Sequence, residues 1–162
     1  DRVIVLGDGK LGLLVTQVLS LTGCELTLVG HHRGKLALVA ARGIRTQLGN
    51  AAIDGQADLV VECTGHAEGF QAARRLVRTQ GTIILKSTYH GLVQTDLSSL
   101  VVDEVRVVGS RCGPFPAALR LLEQGLVDVT SFIEAEYPLD EALDALEHAG
   151  KRGALKVLVR MP

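Results

Sequence analysis

Short runs of branched and aliphatic residues recur along this chain, and between them the apolar spacing changes to every third or fourth residue. The runs fall at residues 3–6, 26–29, 44–47, 59–63, 82–85 and 105–108, each with the composition of a buried strand. Between them Leu11, Leu14, Val15, Val18 and Leu19 share one helical face, as do Leu36, Val39 and Ala40, and later Ala72, Ala73, Leu76 and Val77. Continuously apolar strands separated by such helices predict a parallel sheet covered on both sides. With right-handed crossovers this is a doubly wound α/β fold, whose ligands sit at the carboxyl ends of the strands near the point where strand order reverses.

A chain of 162 residues is long enough for one well-buried domain with a short appendage. The alternating pattern holds over residues 1–130, with a helix expected from about 117 to 124 after Gly113-Pro114-Phe115-Pro116. From 131 to 162 it changes to a short strand, a helix opened by Asp140 and Glu141, and a final strand over 155–159. This tail need not join the main sheet. The chain starts at Asp1, with no initiator methionine, directly before the first strand run, and reads as a piece of something longer.

The turn after the first strand is Gly7-x-Gly9-x-x-Gly12, followed by a helix. In that context the three glycines have separate tasks: a tight turn at Gly7, approach of a pyrophosphate to the backbone at Gly9, and close helix-to-strand packing at Gly12. The free N–H groups of the first helical turn, with Lys10 and Leu11, then face the phosphates. The plain alternative is three glycines that make a turn and nothing more. Asp8, between two of them, is expected to turn to solvent, because a carboxylate facing phosphates would repel them.

A dinucleotide site for NAD(H) carries an acid about twenty residues beyond the glycines to hold the ribose hydroxyls. Here that place falls on Gly30, His31, His32 and Arg33, with Lys35 close behind, and none is acidic. Gly30 is expected to leave room for a 2′-phosphate, and Arg33 to grip it through paired charge-assisted bonds. Lys35 can support the same phosphate or a ribose hydroxyl, and His31 or His32 can donate to it or lie against the adenine. The reading is NADP(H), with NAD(H) possible. Against it stands a simply solvated loop. A methyltransferase would need the missing acid, and a short-chain dehydrogenase would show Tyr-x-x-x-Lys, whereas Tyr89 is followed by Val93 and Tyr137 by Glu141.

A formal net charge of -1 and 3% aromatic residues give no footprint for nucleic acid or an anionic membrane. Cys24, Cys63 and Cys112 are odd in number and form no C-x-x-C pair, which suits a reducing cytoplasm better than a disulfide framework. The adjacent histidines His31 and His32 have no third metal ligand at a useful spacing, and His66 and His90 read as solvated loop residues.

The chain resembles the cofactor-binding half of the medium-chain, zinc-dependent alcohol dehydrogenases. The resemblance runs through residues 3–12, through Leu28-Val29-Gly30 with Lys35, through Glu62-Cys63-Thr64-Gly65 and Gly81-Thr82-Ile83, and through Tyr137-Pro138-Leu139-Asp140-Glu141-Ala142 and Leu155-Lys156-Val157. It implies that Cys63 and Thr64 run beside the adenosine and ribose. It also implies that Lys86, Ser87, Thr88, Ser110 and Arg111 lie near the nicotinamide, and that residues 104–110 form a sheet edge through which two copies pair. The tail would return to a catalytic domain and offer Lys151, Arg152 or Lys156 to the pyrophosphate. The resemblance puts the zinc, its ligands and the proton relay in a preceding domain, so catalytic and metal-binding residues are not expected here. The implied reaction is hydride transfer between nicotinamide and an alcohol, polyol or carbonyl compound. A non-enzymatic dinucleotide-sensing module is the second reading.

Overall fold

The computed structural model describes residues 1–49, 56–89 and 91–162. Its main sheet is built from β1 (Arg2–Leu6), β2 (Glu25–Gly30), β3 (Arg45–Leu48), β4 (Ala57–Glu62), β5 (Val77–Leu85) and β6 (Arg106–Gly109). Every pairing is parallel, in the order β3-β2-β1-β4-β5-β6. This is the doubly wound order, and it reverses between β1 and β4.

The apolar alternation of β1 explains the two layers that cover the sheet. Val3 and Val5 face one side, with Leu13 of α1 (Lys10–Ser20) and Leu36 and Val39 of α2 (Arg33–Ala40). Ile4 and Leu6 face the other, with Phe70 and Ala73 of α3 (Ala67–Leu76). Ile4, Leu13 and Leu28 are fully buried, and each such side chain contributes about 1.5–3 kcal/mol of burial free energy.

The helical faces differ from expectation in part. Leu14, Val15 and Leu19 pack on the core, but Leu11 and Val18 are about two-fifths exposed, while Thr16 and Gln17 are buried. The cause is a second covering layer. The Gln17 side chain donates to the Asp128 carbonyl at 2.9 Å and accepts from the Asp128 N–H at 2.7 Å, so the segment after α5 (Phe115–Glu123) lies against α1. Likewise Ala40 is exposed where Leu36 and Val39 are not. Val77 belongs to β5 rather than to the preceding helix: α3 stops at Leu76 and its C-cap is already extended. The pairing of β5 with β4 shifts register before Leu59, and Gln80 takes φ 59°. A short helix, α4 (Leu97–Val102), capped by the Asp96 carboxylate, was not anticipated from the sequence.

The tail forms its own parallel pair, β7 (Ile133–Pro138) with β8 (Lys156–Arg160), joined through α6 (Ala142–Gly150). Asp140 and Glu141 lie in a 3-10 turn just ahead of α6. Phe132 is buried in the core beneath α1 and α2, and Leu155 packs against the same cluster. The tail is therefore docked on the sheet's helical layer.

Candidate functional site

The carboxyl ends of β1, β2, β4, β5 and β6, together with the helix starts that follow two of them, carry every site residue read from the sequence outside the tail. Gly7 adopts φ 107°, and a β-carbon there would lie 2.8 Å from the Cys63 carbonyl oxygen, so the turn after β1 admits only glycine. Gly9 caps α1 with extended backbone, and a β-carbon on it would meet nothing within 4 Å. The turn is thus open at Gly9, directly before the first-turn N–H groups of α1, which have no partner within the helix. Lys10, the first residue of α1, donates from Nζ to the Leu155 carbonyl at 3.3 Å and so ties this turn to the tail. Leu11 is exposed beside it.

Asp8 departs most from expectation. It is 6% exposed rather than solvated. Its Oδ2 accepts the N–H of His31 at 2.8 Å and of His32 at 2.6 Å, and its Oδ1 lies 3.0 Å from Nδ1 of His32. Burial pushes the carboxyl up, but the His32 N–H, the His32 ring and the His31 N–H together hold it below the ordinary aspartate value. Nor is Gly30 an open space: a β-carbon there would lie 2.5 Å from both Cβ and Oδ2 of Asp8. An acid does stand at the end of β2, supplied by the glycine turn. Its oxygens are occupied by the N–H groups at the start of α2.

Around this carboxylate the cations face outward. His32 is the N-cap of α2 and Arg33 its first residue; His31, His32 and Arg33 are exposed. Arg33 has no hydrogen-bond or ion-pair partner among the described residues. Nε2 of His32 and Nζ of Lys35 each stand 3.8 Å from the place of a β-carbon on Gly153, so the tail's glycine closes over both. Lys151, Arg152 and Lys156 are exposed.

At the end of β4, Glu62 is fully buried. Its Oε1 accepts the Thr64 N–H at 2.7 Å and the Thr64 hydroxyl at 2.5 Å, and its Oε2 accepts the Tyr89 hydroxyl at 2.5 Å. This binds the β4 and β5 loops together. Burial and the adjacent carboxylate push the Tyr89 phenol up. Burial first, then Glu62, pushes the Cys63 thiol up to about 12 against the opposing pull of Lys86. The Gly65 N–H donates to the Ser87 hydroxyl at 2.8 Å, and Lys86 Nζ reaches the Arg111 carbonyl at 3.1 Å and the Ser110 hydroxyl at 3.4 Å. Residues 63–65, 86–88 and 110–111 thus form one continuous rim, with Thr88 and Arg111 exposed on it. His66 is exposed, and His90 lies outside the described residues.

Sequence reasoning missed Glu62 and Tyr89 as a pair; the signal was Thr64, a hydroxyl two residues beyond a strand-end acid. Among the described residues no three His, Cys, Asp or Glu side chains are grouped so as to hold a metal ion. The residues present do not fit a zinc site, and no zinc step is derived from them. Among the same residues, no helix is long and apolar enough to cross a membrane.

The family described as zinc-binding dehydrogenase matches the chain over residues 11–124. The chain belongs to this zinc-binding dehydrogenase family. Sorbitol dehydrogenase of Halalkalibacterium halodurans is 30% identical over an alignment of 177 positions that covers 98% of this family member and 51% of that enzyme. D-arabitol-phosphate dehydrogenase of Enterococcus avium is 26% identical over 176 residues, 98% of this chain and 50% of that one. A solved structure from Sinorhizobium meliloti 1021, bound to NADP, superposes with a TM-score of 0.86 at 28% identity, covering 98% of this chain and 52% of that one. L-idonate 5-dehydrogenase of Escherichia coli shares the fold, with a TM-score of 0.88 at 23% identity. The chain spans about half the length of these relatives.

Proposed function

We propose that this chain is the dinucleotide-holding half of a medium-chain, zinc-dependent alcohol or polyol dehydrogenase and that it takes NADP(H). The observation that carries the reading is the pairing of an open turn at Gly9 with an exposed Arg33 at the start of α2 that has no hydrogen-bond or ion-pair partner among the described residues. The NADP-bound relative at 28% identity supports the cofactor, and the sorbitol and arabitol-phosphate dehydrogenases support the polyol class.

In this reading residues 1–130 hold the cofactor and residues 131–162 return to a catalytic domain outside this chain, where the zinc ligands reside. When bound, the nicotinamide supplies a hydride acceptor or donor at C4. The chain's own residues bind and orient it. Gly7, Gly9 and Gly12 bring the N–H groups of residues 10 and 11 toward the pyrophosphate, and Lys10 adds charge. Arg33 and Lys35, with His31 and His32, meet the 2′-phosphate beside Gly30. Cys63 and Thr64 lie along the adenosine and ribose. Lys86, Ser87, Thr88, Ser110 and Arg111 border the nicotinamide, and the Glu62 bonds to Thr64 and Tyr89 keep that rim in place.

Among the described residues the outer edge of β6 has no neighbouring strand in the sheet, and its residues are exposed, which supports pairing of two copies through it. All three cysteines are free, which supports a reducing cytoplasm. Oxidation of polyols by the full-length protein, with NADP+ and NAD+ compared, tests the reading. Turnover of a polyol with NADP+ supports it, and a protein that binds NADPH but oxidises no alcohol or polyol overturns the enzymatic part.

A further inference from the structure

We propose that Asp8 is a positioning residue for cofactor choice: from the glycine turn it fills the space of a side chain at position 30 and so excludes the acid that would select NAD(H). This rests on the NADP(H) reading above. The position of an acid in the sequence does not say what it can accept. The Asp8 carboxylate stands at the end of β2, where ribose hydroxyls would look for an acceptor. But Oδ2 already accepts two backbone N–H bonds and Oδ1 faces the His32 ring, with the side chain 8% exposed. A carboxylate so occupied offers little to a ligand. It acts inward, by fixing the turn into α2.

Two consequences follow from that turn. Nδ1 of His32 is held by Asp8, which leaves Nε2 as the ring atom turned toward Lys35 and Gly153. The groups left facing the 2′-position are then Arg33, Lys35 and His32 Nε2, and none of them is an acid. Position 30 is also coupled to Asp8. A β-carbon at Gly30 would lie 2.5 Å from Cβ of Asp8, which is the root of that side chain and not its flexible end. Any residue larger than glycine at position 30 therefore conflicts with the β-carbon of residue 8 as well as with its carboxylate, and the whole conflict disappears only when position 8 is itself glycine.

The experiment is a double-mutant cycle in the full-length protein, read by thermal melting and by fluorescence titration with NADPH and NADH. Gly30→Ala and Gly30→Asp lower the melting temperature in the wild-type background, and the loss is largely relieved when Asp8→Gly is also present. The Asp8→Gly/Gly30→Asp variant, freed of the overlap and carrying an acid open to the ribose, loses at least about tenfold of the NADPH-to-NADH affinity ratio. Asp8→Ala, which removes the carboxylate but keeps the β-carbon and so relieves the loss only in part, provides a second background should Asp8→Gly fail to fold. Additive stability effects, or an unchanged affinity ratio in the double variant of a protein that prefers NADPH, overturn the proposal alone. A wild-type preference for NADH overturns it together with the reading on which it rests.

Discussion

Gly12 faces the carbonyl of Gly7 so closely that a β-carbon on Gly12 would overlap the Gly7 oxygen. Helix α1 can start where it does, with its free N–H groups at the switch point between β1 and β4, only because position 12 has no side chain. The predicted effects of substitution therefore differ between the two glycines of this helix start. Gly12→Ala forces the helix away from the strand and costs at least about 1–3 kcal/mol, as overpacking does; urea unfolding measures it. Gly9→Ala meets nothing within 4 Å, so its melting temperature stays near wild type while its methyl occupies the phosphate cradle and weakens NADPH binding by at least about tenfold.

In the proposed reading Arg33 separates the two cofactors. It lies at the start of α2 with no partner among the described residues, so Arg33→Ala leaves the fold intact and removes only the grip on a 2′-phosphate. NADPH affinity falls by about 1.5–3 kcal/mol, the range for hydrogen bonds to charged groups, and NADH affinity stays within about twofold. Isothermal titration of both nucleotides checks this.

Asp8 makes stability depend on pH in a defined direction. Its folded carboxyl titrates below the ordinary value of 3.8, so its contribution is fully present above that value and is lost as pH falls through the folded one. Asp128, held to about 2 by hydrogen bonds from Ser131 and Thr130, acts in the same sense. Melting curves from neutral pH down to about pH 2 should show an acid-side decline that Asp8→Asn reduces but does not abolish.

The cysteines differ in reactivity. Cys63, with its thiol pushed up to about 12 by burial and by Glu62, holds almost no thiolate at neutral pH, whereas Cys112 is exposed. Iodoacetamide followed by peptide mass analysis should label Cys112 in the folded protein and reach Cys63 only after denaturation.

The strands and the glycine turn were legible because their signals are local: an apolar run, a turn residue, a helical spacing. The layered sheet follows from these, and so does the gathering of strand ends. What the sequence hid depends on contacts across the fold. Asp8 reads as solvated because its partners lie 23 and 24 residues away, and only the folded turn shows that the glycine at position 30 and the acid at position 8 share one space. Glu62 reads as a strand-end charge because Tyr89, which completes its bonding, lies 27 residues on. Val77 continues the helical spacing of α3 yet belongs to β5, because α3 passes into β5 with no turn residue between them. Gln17 and Thr16 broke the apolar pattern of α1 because their side chains bond to backbone carbonyls, a role that hydrophobic periodicity does not register.

The most direct measurement is the ratio of dissociation constants for NADPH and NADH on the purified full-length protein, at one ionic strength. The site built from Arg33, Lys35 and an inward-bound Asp8 predicts NADPH tighter by at least about tenfold, or 1.4 kcal/mol. NADH binding as tightly as NADPH, or more tightly, would contradict it.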